Sequence, residues 1–340
     1  MAYYNWYVIN VALNHQSANP VSRVRYGEHS VAEVRRITVD ETSGGQRIDN
    51  FLHRWLKGVP RTRLYRLLRR GEVRVNGGRI KPSYRLCGGD EVRLPPVRTG
   101  ETAPNTPSAR VLERLAQAIR YEDDHLLVVD KPSGMAVHAG SGVAYGLVEA
   151  LRWLRPQVGL LDLAHRLDRH TSGIVVLCKG RQALSQVHQQ FREGAVGKYY
   201  VTLVRGRLPR GEMPVTARLA RHTGKGGETF VEVAADGKAS RTTFWTLEAL
   251  GRRWTLSRCR PETGRMHQIR VHAAYMGYPI AGDQRYGAVE ANQIARRAGL
   301  KRLFLHAEQV CLQHPAGGTV AFDAPLPSDL TTSVERLRHE

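Results

Sequence analysis

The sequence predicts an α+β protein built as two folded units, and three observations carry that expectation. The chain has 340 residues and is 41% apolar, enough for more than one core. A Pro-rich stretch divides it near residue 100. On either side, short strand runs alternate with amphipathic helices and hairpin signals, without the strict βαβ repetition of a doubly wound fold. Charge narrows the class of partner: 51 Lys and Arg face 31 Asp and Glu, a formal net charge of +20. A surplus of that size suits a long polyanion, whereas a small neutral substrate needs no such field.

Residues 1–34 hold only a short YVINVAL run with no sustained period, and are expected to be an extension without fixed structure. Asn interrupts the apolar residues and no basic segment precedes them, which argues against a secretory signal. No stretch reaches the roughly 18 consecutive apolar residues of a spanning helix, so no membrane partner is expected. Cys87, Cys178, Cys259 and Cys311 form no CxxC pair, which argues against a zinc ribbon, a redox motif or a disulfide framework. Reduced cytoplasm is the expected location.

Residues 35–94 form the first unit. RRITV reads as a strand. Ile48, Phe51, Leu52 and Trp55 lie at helical spacing, and Leu64, Leu67 and Leu68 repeat it after a break at Gly58 and Pro60. Gly71 ends the second helix, EVRVNG alternates as a strand, Asn76 to Gly78 turn, and DEVRLP closes the unit. Residues 95–110, PPVRTGETAPNTPSAR, carry four prolines and almost nothing large and apolar, as a semi-extended linker would.

Residues 111–330 form the larger unit, with 331–340 read as a tail. HLLVVD, GIVVLCK and KYYVTLVRG are buried-strand runs, while VEALRWL and QALSQVHQQFREG are helical. RMHQIRVHAAYM is a helix stopped at Gly277, and its first turns are expected to carry Arg265, His267, Gln268 and Arg270. EQVCLQHPAGGTVAFDAP reads as a hairpin closed by PAGG. The expected architecture is a large mixed or antiparallel sheet with helices.

The charge surplus is local. Between Arg47 and Arg93, 13 basic residues face four acidic ones. Arg63, Arg66 and Arg70 share one face of the second helix while Leu64, Leu67 and Leu68 take the other. Such a face binds phosphates through counterion release. A solvated cationic surface is the plainer alternative.

The chemistry points to the segment His165-Arg166-Leu167-Asp168-Arg169-His170-Thr171-Ser172-Gly173, a polar loop that feeds directly into the apolar run Ile174–Cys178. Asp168 sits between Arg166 and Arg169, in a positive field that favours its carboxylate and hence a nucleophile or base. Alone, an Asp in such a loop is more often a cap or a structural ion pair. Tyr200 at a strand start usually just packs, Arg270 suits the surface of an amphipathic helix, and KPSG is ordinary turn chemistry. His165, His267, His272 and His306 show no HExxH spacing, so a metal site is not expected.

Taken together, VVDKPSG, HRLDRHTSG, KYYVTLVRG and TGRMHQIRVH resemble the ordered motifs of the ribosomal large-subunit pseudouridine synthase family, over roughly residues 35 to 330. RIDNFL with the Arg-rich helix, GEVRVNG and GDEVRLP resembles the RNA-binding domain first known from ribosomal protein S-four. The resemblance implies a pseudouridine synthase fold joined to a small N-terminal RNA-binding domain. It implies an isomerase that flips a uridine out of large-subunit ribosomal RNA, cleaves its glycosidic bond and rejoins C5 to C1′. Asp168 would be the essential carboxylate, Tyr200 would stack on the uracil, and Arg270 would pair with Asp168. Arg166 would fill the space left by the flipped base, and Ile269 and Lys131 would shape the pocket. Arg63, Arg66 and Arg70 would grip RNA. His170 stands where the family shows Asp, which puts the loop's hydrogen bonding in question more than its chemistry.

The isomerisation changes neither redox state nor atom count, so no cofactor is expected; a monomer is. Whether Asp168 attacks C1′, attacks the base or removes the C2′ proton is open. A non-catalytic RNA-binding assembly factor fits the charge equally well, and transfer RNA is an alternative substrate.

Overall fold

The computed structural model describes residues 34–41, 44–56, 59, 61–97, 106–140, 143–224 and 229–339. The N-terminal extension up to residue 33, the break at Gly58 and Pro60, and the linker's middle at 98–105 lie outside the described residues. Two compact units divide after Pro104.

The first unit runs β1 (Arg35–Thr38), α1 (Ile48–Trp55), α2 (Arg61–Arg70), β2 (Arg74–Val75) and β3 (Glu91–Leu94), with sheet order β1-β3-β2. Ile48, Phe51 and Leu52 from α1 meet Leu64, Leu67 and Leu68 from α2 over Val92 and Leu94. Trp55, expected on that apolar face, is 39% exposed and leans on Phe51 from outside. The EVRVNG strand contracts to two residues, because Asn76 and Gly77 both take positive φ and turn the chain early. Asp90 is buried there and accepts hydrogen bonds from Asn76, Tyr84 and the Cys87 amide. Although burial opposes it, the Cys87 amide holds this carboxyl below its ordinary range.

The second unit begins with α3 (Ala109–Gln117), β4 (Ile119–Glu122), β5 (Leu126–Lys131), α4 (Leu147–Leu154) and β6 (Leu161–Leu163). It continues through β7 (Ser172–Lys179), α5 (Arg181–Glu193), β8 (Gly197–Arg205), β9 (Glu212–Thr223), β10 (Thr229–Val233), β11 (Lys238–Leu250) and β12 (Trp254–Pro261). It closes with α6 (Gln268–Tyr275), α7 (Val289–Arg297), β13 (Leu305–Gln313), β14 (Thr319–Asp323) and α8 (Ser328–Arg338). One 11-stranded sheet runs β10-β9-β11-β12-β8-β13-β7-β5-β4, with β14 on β13 and β6 on β7.

The sheet is mixed because β13 and β7 pair in parallel while their neighbours are antiparallel. Both faces of its centre are covered, as the unbroken apolar run of β7 requires. Leu127, Val129, Val175 and Leu177 face the core shared with α4 and α8, and the alternate residues Leu126, Val128, Ile174 and Val176 face α5 and β14.

Two expectations need correction. The segment read as a tail from residue 331 is most of α8, whose Leu330, Val334 and Leu337 are buried in the main core. Arg265 precedes α6, and His267 caps it with φ 54°, so neither stands on the helix proper.

Candidate active site

The loop that carries Asp168 joins β6 to β7 and is fixed mainly through backbone atoms. Lys131, at the end of β5, is completely buried, and its ammonium donates to the carbonyls of Pro132, Met135 and Arg169. Burial brings its pKa down to about 7, against the pull of the nearby Asp168 charge. The Gly134 amide donates to the Arg169 carbonyl and Arg169 Nε returns a bond to the Gly134 carbonyl. Ser133 Oγ donates to the His170 carbonyl at 2.7 Å. Because that bond uses the backbone of residue 170, a His in place of Asp leaves it intact.

Where the loop enters β7 the backbone is crowded. Gly173 has φ 112°, and a Cβ there would lie 2.2 Å from the Ala307 carbonyl oxygen across the parallel pairing with β13. Only glycine fits. Beside it, buried Ser172 lies 2.9 Å from His306 Nδ1 and accepts a bond from Arg302, which is itself clamped by Asp329 at the start of α8. The helix missed as a tail thus helps hold the strand behind the loop.

α6 brings the opposing charge. Its first residue, Gln268, is buried and fully engaged: its oxygen accepts from Thr263 and the Arg265 amide, and its amide donates to the Arg241 carbonyl and Thr242. His272, one turn on, lies between Thr242 and Ser240. These bonds lock the helix to β11, and Arg270 therefore projects from a fixed base. Its guanidinium gives Nε and Nη2 to Asp283 at 2.7 and 2.9 Å and leaves Nη1 at 3.4 Å from Asp168 Oδ2.

Asp283 has a fully buried side chain, whereas that of Asp168 is 29% exposed. Burial alone pushes the Asp283 carboxyl up, but Arg270 and the amides of Tyr286 and Arg285 hold it below its ordinary range. Tyr286 lies under the Arg270 guanidinium and bonds His267 Nδ1 at 2.8 Å, while His267 Nε2 stands 3.8 Å from Asp168. Burial lowers the His267 pKa, with Asp168 opposing, so the ring is neutral at pH 7.

A cleft of about 940 Å³ opens over this cluster, and Arg166, Asp168, Lys198, Tyr200, Ile269 and Arg270 are among the residues that line it. Tyr200 and Ile269 are almost buried, and burial raises the Tyr200 phenol well above its ordinary value. Arg166 is exposed and makes no side-chain hydrogen bond or ion pair among the described residues.

Lys131 differs from expectation, since it does not line the cleft but lies behind the loop. Arg63, Arg66 and Arg70 belong to the first unit, on the side of α2 opposite its buried leucines. The four histidines weighed as metal ligands have other hydrogen-bond partners: His165 Nε2 accepts the Val176 amide, and His267, His272 and His306 bond hydroxyls. Sequence reasoning missed Asp283, Tyr286 and Arg302. A buried Asp among the small and apolar residues of PIAGD was the available signal.

A basic small domain and a carboxylate steadied by a guanidinium in an open cleft are features that suit an enzyme acting on RNA. The chain belongs to the RNA pseudouridylate synthase family, whose profile matches residues 125–275, and is an isomerase; the S4 domain profile matches residues 46–92.

It is 48% identical over 310 residues to the ribosomal large subunit pseudouridine synthase C of Salmonella typhi, covering 90% of this chain and 97% of that one. With the enzyme of the same name from Escherichia coli (strain K12) it shares 49% over 308 residues, covering 89% and 96%. Among solved structures, human RNA Pseudouridylate Synthase Domain Containing 4 superposes with a TM-score of 0.56 at 25% identity, covering 67% of this chain and 96% of that one.

Proposed function

We propose that this isomerase acts on uridines of large-subunit ribosomal RNA in the cytoplasm, as a monomer and without metal or cofactor, with Asp168 as its essential carboxylate. The observation that carries the reading is the approach of Arg270 to Asp168 in the wall of a cleft that Tyr200 also lines. A binding module has no use for a half-exposed carboxylate supported by a buried second acid.

In this reading the target nucleotide leaves its stack, at a cost of a few kcal/mol that base stacking on Tyr200 and insertion of Arg166 offset. Arg166 suits the second task because its guanidinium is exposed and has no partner among the described residues. Asp168 then acts while the N1–C1′ bond breaks. The freed uracil turns between Tyr200 and Ile269, C5 bonds to C1′, C5 gives up its proton and N1 gains one. Trapping the base holds the reacting atoms at high effective concentration. Arg270 orients the carboxylate. Lys131 shapes the site from behind, by tying the loop to the end of β5. Arg63, Arg66 and Arg70 supply phosphate contacts from the S4 domain.

The experiment compares the full-length protein with Asp168→Asn on unmodified large-subunit ribosomal RNA carrying tritium at uridine C5. Release by the wild type and its loss in the variant are expected. Equal release by both removes Asp168 from the chemistry, and release from transfer RNA alone overturns the substrate.

A further inference from the structure

The hairpin turn between β11 and β12 reads Gly251-Arg252-Arg253, and Trp254 then opens β12. Together with Ile294 and Arg297 from the end of α7 these residues line a separate hollow of about 240 Å³. Its lining contains three arginines and no acid. Arg205 pairs with Trp254 in register and is exposed at the end of β8.

The three arginines of the lining are exposed, and among the described residues none has a side-chain hydrogen bond or ion pair. That sets them apart from Arg36, Arg120, Arg155, Arg302 and Arg338, each of which meets a carboxylate. Glu248, the acid near the end of β11, is already held by two bonds from Arg338. Glu290 lies seven residues before Arg297, about 10 Å away along α7. Trp254 is buried, and its indole N–H has no acceptor among the described residues. The lining therefore offers N–H donors and no acceptor side chain to an anion.

The location decides which anion. Tyr200 pairs with Cys259, and five residues along the same two strands Arg205 pairs with Trp254. At about 3.3 Å per residue Trp254, in the wall of the hollow, stands roughly 17 Å along the strand from Cys259, the partner of Tyr200. An RNA that fills only the cleft does not reach it, but one that continues several nucleotides past the flipped uridine does.

We propose that this arginine hollow is a second RNA-binding site, which takes a backbone phosphodiester of the substrate remote from the modified nucleotide. It rests on the RNA-modifying reading but not on the choice of target uridine. The site selects RNA by length and path, since it meets no base in the cleft.

The test compares wild type with Arg252→Glu/Arg253→Glu and with the milder Arg252→Gln/Arg253→Gln/Arg297→Gln. Two RNAs serve as probes: the smallest ribosomal stem-loop that is still modified, and the same stem-loop within a domain-length transcript. Filter binding is measured from 0.05 to 0.3 M salt, and turnover in parallel, both ranges being about those in which phosphate contacts are salt-sensitive. The variants should bind the long RNA about tenfold more weakly, with a salt slope shallower by about 0.9 for each lost duplex phosphate contact. On the stem-loop, binding and turnover should match wild type, which also shows that the variants are folded. Should the glutamate variant aggregate, the glutamine variant decides. Unchanged binding of the long RNA, or an equal loss on both RNAs, overturns the proposal. Absence of turnover with every protein would refute the substrate and leave the binding comparison standing.

Discussion

The replacement Asp283→Asn isolates the part of the site that holds the Asp168 carboxylate. Asp283 is fully buried and binds Arg270 through both oxygens at 2.7 and 2.9 Å, while Arg270 reaches Asp168 with its remaining nitrogen at 3.4 Å. Breaking a buried ion pair by neutralising one member costs about 3–5 kcal/mol, because the other charge stays buried. Asn keeps the shape and an oxygen that can accept the Arg285 and Tyr286 amides, so the lower end, about 3 kcal/mol, is expected. For a unit of this size that lowers Tm by roughly 6–12 °C.

The functional loss has a separate cause. Freed from Asp283, Arg270 turns toward Asp168 and pairs with it more closely, drawing the carboxylate from its reacting position. A displacement of about 1 Å can cost about a hundredfold in rate, so kcat should fall by that order while KM changes only a few-fold. Differential scanning calorimetry and single-turnover tritium release read the two effects. In a double-mutant cycle with Arg270→Leu the two losses should be far from additive, with a coupling of about 2 kcal/mol or more. A variant that melts within about 2 °C of wild type and turns over within about twofold refutes the idea that Asp283 governs Arg270.

Gly173→Ala should cost more than about 2 kcal/mol, since its Cβ meets the Ala307 carbonyl, and calorimetry or loss of soluble protein reads it. Lys131→Met removes three bonds to loop carbonyls and should lower kcat at least about tenfold with little change in RNA affinity, checked by single turnover and filter binding. Replacing Arg63, Arg66 and Arg70 with Ala should flatten the salt dependence of RNA binding by about 0.7 per lost single-strand phosphate contact, read by filter binding. Burial lowers His165 to about 3 and His272 to about 4, below the ordinary 6.5. The unfolded chain then binds the extra protons, so stability present above pH 6.5 is lost as pH falls toward 4 and 3, by about 1.4 kcal/mol per histidine per pH unit. Urea midpoints should drop over that window, and His272→Gln should remove its share of the slope.

Local signals made the loop and its strand readable. HRLDRHTSG is polar and IVVLC is continuously apolar, a contrast that marks a loop entering a doubly covered strand, and β7 is buried along nearly its whole length. The PAGG hairpin followed from turn chemistry alone. β9 and β11 were not anticipated, although β9 alternates in burial as an antiparallel strand should. α8 carried a sign that was overlooked: Leu330, Val334 and Leu337 stand at helical spacing within a short terminal segment.

The support for Asp168 was less accessible, for a physical reason. Arg270 lies 102 residues from Asp168 in the chain, and Arg302 lies 130 from Ser172. Such contacts are set by strand order, and no local period encodes them. The motif resemblance supplied the pairing of Arg270 with Asp168, yet it did not supply Asp283. That omission matters for the chemistry. A single carboxylate facing a buried arginine would be held in a close ion pair, favourable for stability but poor for reaction. The second acid takes two of the guanidinium's donors and leaves one long contact for the first. Asp168 thereby has positive charge close enough to orient it and loose enough to leave its oxygens open to the cleft, and it is this division of one cation between two carboxylates, one buried and one facing the cleft, that fits the reactive role proposed for Asp168.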